Sequence, residues 1–267
     1  MSNVFFEAVS ARQEAIDSLL CVGLDPEPAR IPEHYHSEDR PILKFCLDVI
    51  EATKDVVCCY KPQFAHFAAA NALADLKEVI SVLRAEGLPV ILDAKRGDVG
   101  STSRYYASEA FDVYDAGAVT VNPYLGGDSI APFLERADRG VILLCRTSNP
   151  GGADIQNLEL SNGGELFEHV ARMASGSWNA NSNIGLVVGA TRPEELARVR
   201  EIVGGMYLLL PGIGAQGGDV AASLAAGAGG GLIVSSSRAV LYPPAGSIDA
   251  VRHSAIETRD LINEHRS

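Results

Sequence analysis

The chain has 267 residues, 47% of them hydrophobic and 21% charged, a balance that suits a globular protein with a large buried core and sets aside disordered, collagen-like and coiled-coil classes. The 34 Asp and Glu residues against 22 Lys and Arg leave a formal charge of −12, which argues against a protein that tracks nucleic-acid phosphates or lies on an anionic membrane. A small anion is not excluded, because a few cations and backbone N–H groups can converge locally whatever the net charge.

The chain opens with MSNVFFEAVSARQEAIDSLL, which lacks a basic start followed by an apolar block, and no stretch of 18 apolar residues follows anywhere. We read the opening as an N-terminal helix and expect a soluble, cytoplasmic protein. Eight short apolar runs bounded by turn residues then recur: residues 18–25, 56–64, 89–98, 118–123, 140–148, 183–191, 206–214 and 230–238. Each is of strand length. Between the second and third, Leu73, Leu76, Ile80 and Leu83 keep helical spacing and stop at Gly87 with Pro89 beyond, as a helix C-terminus does. Thr191-Arg192-Pro193-Glu194 reads as a capping box opening a helix with Leu196, Val199 and Val203 on one face. Ile248, Val251, Ala255 and Ile262 mark a last helix. Residues 27–41 and 149–183 read as loops or excursions, without the composition of an interdomain linker.

The five cysteines, Cys21, Cys46, Cys58, Cys59 and Cys145, are odd in number and embedded in apolar runs, so reduced core thiols are expected. The histidines show no metal-ligand spacing, His34 and His36 are expected to be solvated, and no metal site is predicted.

Near-continuous apolar strands alternating with helices imply a parallel sheet covered on its faces, wound in one direction by right-handed crossovers. Eight repeats favour an α/β fold of one (β/α)8 TIM barrel with an N-terminal helix, residues 1–267 forming a single domain; an open doubly wound sheet is the alternative.

In such a barrel the chemistry gathers at the C-terminal ends of the strands. There the first run ends in Asp25, the second contains Lys61, the third ends Asp93-Ala94-Lys95-Arg96-Gly97-Asp98, the fourth carries Asn122 near its end, the fifth ends in Ser148 and the eighth in Arg238. Charges inside apolar strands cost several kcal/mol of desolvation unless they pair. Asp93 and Lys95 are two apart and so leave the same face of a strand, with Lys61 and Asp98 available as a second cation and carboxylate. A carboxylate about 4 Å away contributes about 4 kcal/mol at an effective dielectric near 20, enough to keep a lysine charged despite burial. Such an array suits a reaction that creates negative charge at a carbon and meets it with a proton. A structural ion-pair network at the barrel mouth is the other reading.

Pro211-Gly212-Ile213-Gly214-Ala215-Gln216-Gly217-Gly218-Asp219 contains the Gly-x-Gly-x-x-Gly pattern of dinucleotide sites. Its place in the seventh unit, the preceding Pro211, and Ser237 and Arg238 where an acid should follow all count against that use. A phosphate loop fits better, with backbone N–H groups of the seventh and eighth loops and a bidentate contact from Arg238.

DAKRGD at 93–98 with Thr102, YKPQ at 60–63, TSNPGG at 147–152, PGIGAQGGD at 211–219 and SSSR at 235–238 together resemble the longer, second bacterial subfamily of orotidine 5′-phosphate decarboxylases. The resemblance implies decarboxylation of orotidine 5′-monophosphate to UMP in pyrimidine synthesis by a homodimer of barrels that uses no cofactor. It makes Lys95 the proton donor to C6, Asp93 the carboxylate near the departing CO2 and Lys61 its partner. Asp25 would bind a ribose hydroxyl, Ser148 the pyrimidine edge, and Gln216 and Arg238 the phosphate, with Gly217 and Ser237 also among the substrate-binding residues. Asp98 and Thr102 would reach the partner subunit's site. Three rival readings stand beside it: a metal-dependent sugar-phosphate lyase on the same barrel, an NAD(P)-binding oxidoreductase and a non-catalytic phosphate-binding barrel.

Overall fold

The structure, a computed structural model, describes residues 4–161, 163–212 and 220–266. In chain order it runs α1 (Val4–Ile16), β1 (Leu20–Leu24), α2 (Pro41–Thr53), β2 (Cys59–Pro62), α3 (Phe64–Ala69), α4 (Leu73–Ala85), β3 (Ile91–Arg96) and α5 (Gly100–Ser108). It continues with β4 (Ala118–Val121), α6 (Gly127–Leu134), β5 (Gly140–Arg146), α7 (Ala153–Gln156), α8 (Leu166–Ser175), β6 (Ile184–Val188), α9 (Pro193–Val203) and β7 (Leu208–Pro211). The last elements are α10 (Val220–Gly227), β8 (Leu232–Ser236), α11 (Arg238–Leu241) and α12 (Ile248–His265). All eight strands lie within the eight apolar runs of the sequence.

The strands are parallel in the order β2-β1-β8-β7-β6-β5-β4-β3, and the bridges Tyr60–Val90 and Gln63–Asp93 bring the two ends of that order together. The sheet is therefore a nearly closed (β/α)8 barrel, and the open-sheet alternative is set aside. Two cores follow from the alternation of side chains along each strand. Leu20, Val22 and Leu24 of β1, like Leu208 and Leu210 of β7, face the helices. Cys21, Cys59, Ile91, Ala118, Ile142, Val187, Leu209 and Ile233 face inward and form one apolar cluster with Phe5, Phe6 and Val9 of α1. The N-terminal helix thus stoppers the N-terminal end of the barrel. Gly140 is glycine for this reason, since a Cβ there would lie 2.6 Å from the Phe5 ring.

Some local expectations are corrected. The spacing of α4 holds for the buried Leu76, Ile80 and Leu83, but Leu73 opens the helix on its exposed side. Gly87, at φ +70°, turns the chain out of that helix as expected. Helix α9 starts at Pro193 after Arg192 with no side-chain cap, so Thr191 caps nothing, while a capping box does open α8 through Glu165 and Glu168. Residues 149–183 are not an excursion alone, because they carry α7 and α8. All five cysteines are free and buried, and His34 and His36 are exposed.

Candidate active site

Two residues beyond the inward apolar layer, the same strand faces turn polar. On β2 Cys59 is followed by Lys61, on β3 Ile91 by Asp93, on β4 Ala118 by Thr120, and on β8 Ile233 by Ser235. These side chains line a cavity of about 210 Å³ at the C-terminal mouth of the barrel, with Val187 and Leu209 as its apolar wall. Asp25, Lys95, Ser237 and Arg238 complete its rim.

Asp93 is the hub. It is 5% exposed and binds four donors. Lys61 Nζ donates to Oδ2 at 2.8 Å and Gln63 Nε2 to the same oxygen at 3.0 Å. Lys95 Nζ donates to Oδ1 at 2.6 Å and the Thr120 hydroxyl at 2.8 Å. Burial alone would raise the Asp93 carboxyl, but the ammonium groups of Lys61 and Lys95 prevail and hold it well below the usual carboxylate range. For Lys61, burial would favour the neutral amine; the nearby Asp93 and Asp25 carboxylates outweigh it and hold the ammonium above the ordinary lysine value. The two lysines differ in access. Lys61 is enclosed, whereas 46% of the Lys95 side chain is exposed at the cavity. The array therefore combines a fixed buried ion pair with a cation that can reach a bound molecule.

Asp25 follows β1 and lines the cavity, with its Oδ1 buried and, among the described residues, without a hydrogen-bond partner. A buried carboxylate oxygen left open in this way is an acceptor waiting for a donor from a ligand. Its backbone is fixed by Tyr242, whose hydroxyl accepts from Glu27 N at 2.7 Å and donates to the Asp25 carbonyl at 3.3 Å. Gly23, one inward position earlier, admits no side chain, since a Cβ would lie 1.9 Å from Ser237 Oγ. The buried Ser236 Oγ is likewise unpartnered. Among the described residues, the exposed Arg238 guanidinium has no hydrogen-bond or ion-pair partner, so it is available to an anion at the rim.

Not every predicted residue gathers here. Asp98 and Thr102 are half-buried at the start of α5 and do not line the cavity of their own chain. The Asp98 carboxylate accepts from Val99 N at 2.7 Å, and its carbonyl accepts from Ser103 Oγ. Ser148 also lies off the cavity, packed against Gly189 just beyond β6. The turn it belongs to is braced from below, where Gln156 Oε1 accepts from Thr147 N at 2.9 Å and the buried Arg146 pairs with Glu195 at 2.8 Å. Gln216 and Gly217, with residues 213–219, lie outside the described residues. Arg96, inside the DAKRGD motif, turns away to pair with Glu109 at 2.9 Å and stack over Phe64 and Tyr106.

Sequence reasoning missed Gln63, Thr120 and Tyr242. Gln63 stood in a quoted motif two residues after Lys61, and Thr120 two after the inward Ala118, so the strand period pointed to both. Tyr242 comes from a distant loop and gave no such signal. Among the described residues no group of three His, Cys, Asp or Glu side chains could hold a metal ion, and no helix is long and apolar enough to cross a membrane.

The family model described as orotidine 5′-phosphate decarboxylase / HUMPS family matches residues 18–244. The orotidine 5′-phosphate decarboxylase of Aromatoleum aromaticum is 54% identical over 269 residues, covering 98% of this chain and 99% of the relative. Leishmania donovani OMP decarboxylase superposes with a TM-score of 0.85 at 40% identity over 100% of this chain and 99% of that one. Leishmania donovani UMP synthase gives 0.88 at 41% identity over 99% of this chain, which spans 57% of that longer protein.

Proposed function

The chain belongs to the orotidine 5′-phosphate decarboxylase / HUMPS family, and from that membership we infer that it converts orotidine 5′-monophosphate to UMP and CO2 in pyrimidine nucleotide biosynthesis. The sugar-phosphate lyase and the nicotinamide enzyme receive no support from its relatives, which carry the decarboxylase name over nearly their whole length. The single observation that carries the reading is the Lys61–Asp93–Lys95 array at the floor of a cavity whose rim holds an Asp25 oxygen and an Arg238 guanidinium that, among the described residues, have no hydrogen-bond partner.

In the proposed reaction the C6–carboxylate bond breaks, its electron pair remains at C6, and a proton passes from Lys95 Nζ to that carbon. Lys95 leaves the step neutral and takes its next proton from solvent through the open side of the cavity. Asp93 acts in two ways. Its charge stands where the substrate carboxylate must lie, and it stabilises the ammonium until the proton moves. Lys61 holds Asp93 ionised and in place, Asp25 accepts from a ribose hydroxyl, and Arg238 with Ser237, Gln216 and Gly217 grips the phosphate. Ser148 contacts the pyrimidine edge when the braced turn above β5 meets substrate.

Asp98 and Thr102 act in the site of a second copy, in a homodimer of barrels. In support, Val99, Tyr105, Tyr124 and Leu125 expose apolar surface around α5 and the start of α6, next to those two residues. We assign the whole of residues 1–267 to one domain of this function, working in the cytoplasm without a cofactor. The test is spectrophotometric: folded protein should deplete the ultraviolet absorbance of orotidine 5′-monophosphate, with or without chelator, and Lys95→Ala should abolish turnover while still binding UMP. An inert parent protein sinks the reading, and an active Lys95→Ala variant removes Lys95 as the acid.

A further inference from the structure

The ladder beside the proton donor is irregular. Leu92 pairs with Val119 and Arg96 with Val121, so three residues of β3, Asp93 to Lys95, stand opposite Thr120 alone. A regular strand would carry Asp93 and Lys95 on one face by simple alternation. Here the backbone instead bulges, and Lys95 takes φ +46°, the left-handed region that a side chain with a Cβ rarely adopts. Such a conformation persists only where the surroundings hold it.

Thr120 supplies that hold. Its hydroxyl accepts from Lys95 N at 2.9 Å and donates to Asp93 Oδ1 at 2.8 Å. The same oxygen receives Lys95 Nζ at 2.6 Å. The hydrogen bonds thus close a ring that starts at the backbone nitrogen of Lys95, passes through one hydroxyl and one carboxylate oxygen, and returns to the tip of the same lysine. Thr120 is 1% exposed, which keeps water from taking its place. A hydroxyl can accept and donate at once, and the β-branched side chain restricts its rotamers.

We propose that Thr120 is the positioning residue of the decarboxylation, fixing the left-handed turn of Lys95 and thereby the aim of its ammonium at the substrate carbon. The proposal rests on Lys95 being the acid. It is tested with Thr120→Val, which keeps the shape but neither accepts nor donates, and Thr120→Ser, which restores both. The expected result is a kcat lowered about tenfold or more in Thr120→Val, with Kd for UMP within about threefold of the parent and kcat of Thr120→Ser within about threefold. Parent-like turnover in Thr120→Val overturns the proposal, as does a loss of UMP affinity in proportion to kcat, or a serine variant as slow as the valine one.

Should Thr120→Val not fold, Thr120→Cys compared with Thr120→Ser asks the same question with a side chain of serine's shape and far weaker hydrogen bonding, and equal kcat values for the two overturn it. Crystal structures of the parent and of Thr120→Val, or Thr120→Cys in its place, give a readout independent of turnover. Lys95 should leave the positive φ region or its Nζ should leave Asp93 Oδ1, and unchanged geometry contradicts the proposal. If the parent itself does not turn over, the functional reading has failed, and this structural comparison still decides whether Thr120 holds the turn.

Discussion

Asp93→Asn removes one charge from the centre of the site while keeping the size of the side chain. Lys61 is then left 7% exposed at its side chain, with its ammonium 2.8 Å from an amide in place of a carboxylate. Removing one partner of a buried pair costs about 3–5 kcal/mol, because the other charge stays desolvated. Asp25 also acts on Lys61 and the cavity above is open, so the lower end, about 3 kcal/mol, is expected here.

The pH dependence carries a sign. In the parent, the raised Lys61 value gives stability that is complete below about pH 10.4 and lost only as pH rises through the folded value. The depressed Asp93 value gives stability present above about pH 4 and lost as pH falls through the folded value. Neither group changes the parent's stability between about pH 7 and 9.5. In the variant, burial acts on Lys61 with Asp25 and the smaller effect of Cys21 against it, and its folded value is expected to drop below that of the unfolded chain. The unfolded state then binds more protons, and stability rises with pH. Urea unfolding of both proteins should give a deficit of about 3 kcal/mol at pH 7 that shrinks by about 1 kcal/mol or more at pH 9.5. A deficit under about 1 kcal/mol at pH 7, or one of equal size at both pH values, refutes the reasoning.

Two further outcomes follow from the rim and from α5. Arg238→Ala should weaken UMP binding by about 10- to 100-fold, the worth of a charge-assisted contact, while uridine binding and stability stay within about twofold and about 0.5 kcal/mol; calorimetric titration measures the first two, and equal losses for both ligands contradict a phosphate role. Mixing inactive Lys95→Ala and Asp98→Ala proteins should restore about a quarter of parent activity, since half of the exchanged dimers carry one intact site of two. No gain after subunit exchange, seen as unchanged activity while mass spectrometry detects mixed dimers, would put Asp98 outside the partner's site.

Much of the fold was legible because its signals are local. Each strand could be found as an apolar run closed by turn residues, and each of the eight predicted runs encloses its observed strand. The polar ends of those runs located Lys61, Asp93, Lys95 and Arg238 at one mouth, since a parallel barrel leaves its strand ends nowhere else to go. Less was legible where one residue's role depends on another far along the chain. Thr191 looked like a cap by spacing, yet α9 begins on Pro193 with no side-chain cap. The 149–183 stretch read as a loop or excursion, although Phe167, Ala171 and Ala174 of α8 are fully buried there.

The period-two alternation is written along the chain, and with it which faces are apolar and which residues of β2, β3 and β8 turn charged or polar at the mouth. The chain also carries the chemistry on offer, because two lysines and a carboxylate were set into strands where charge is costly. How they meet depends on the folded strands. Asp93 and Lys95 come together through a bulge and a left-handed Lys95, held by Thr120 from the next strand, and the regular alternation that suggested their meeting breaks between them. The difference is one of range. Hydrophobic patterning acts over two to four residues and can be read along the chain, whereas a hydroxyl that satisfies a backbone N–H 25 residues away has no signature until the strands are side by side.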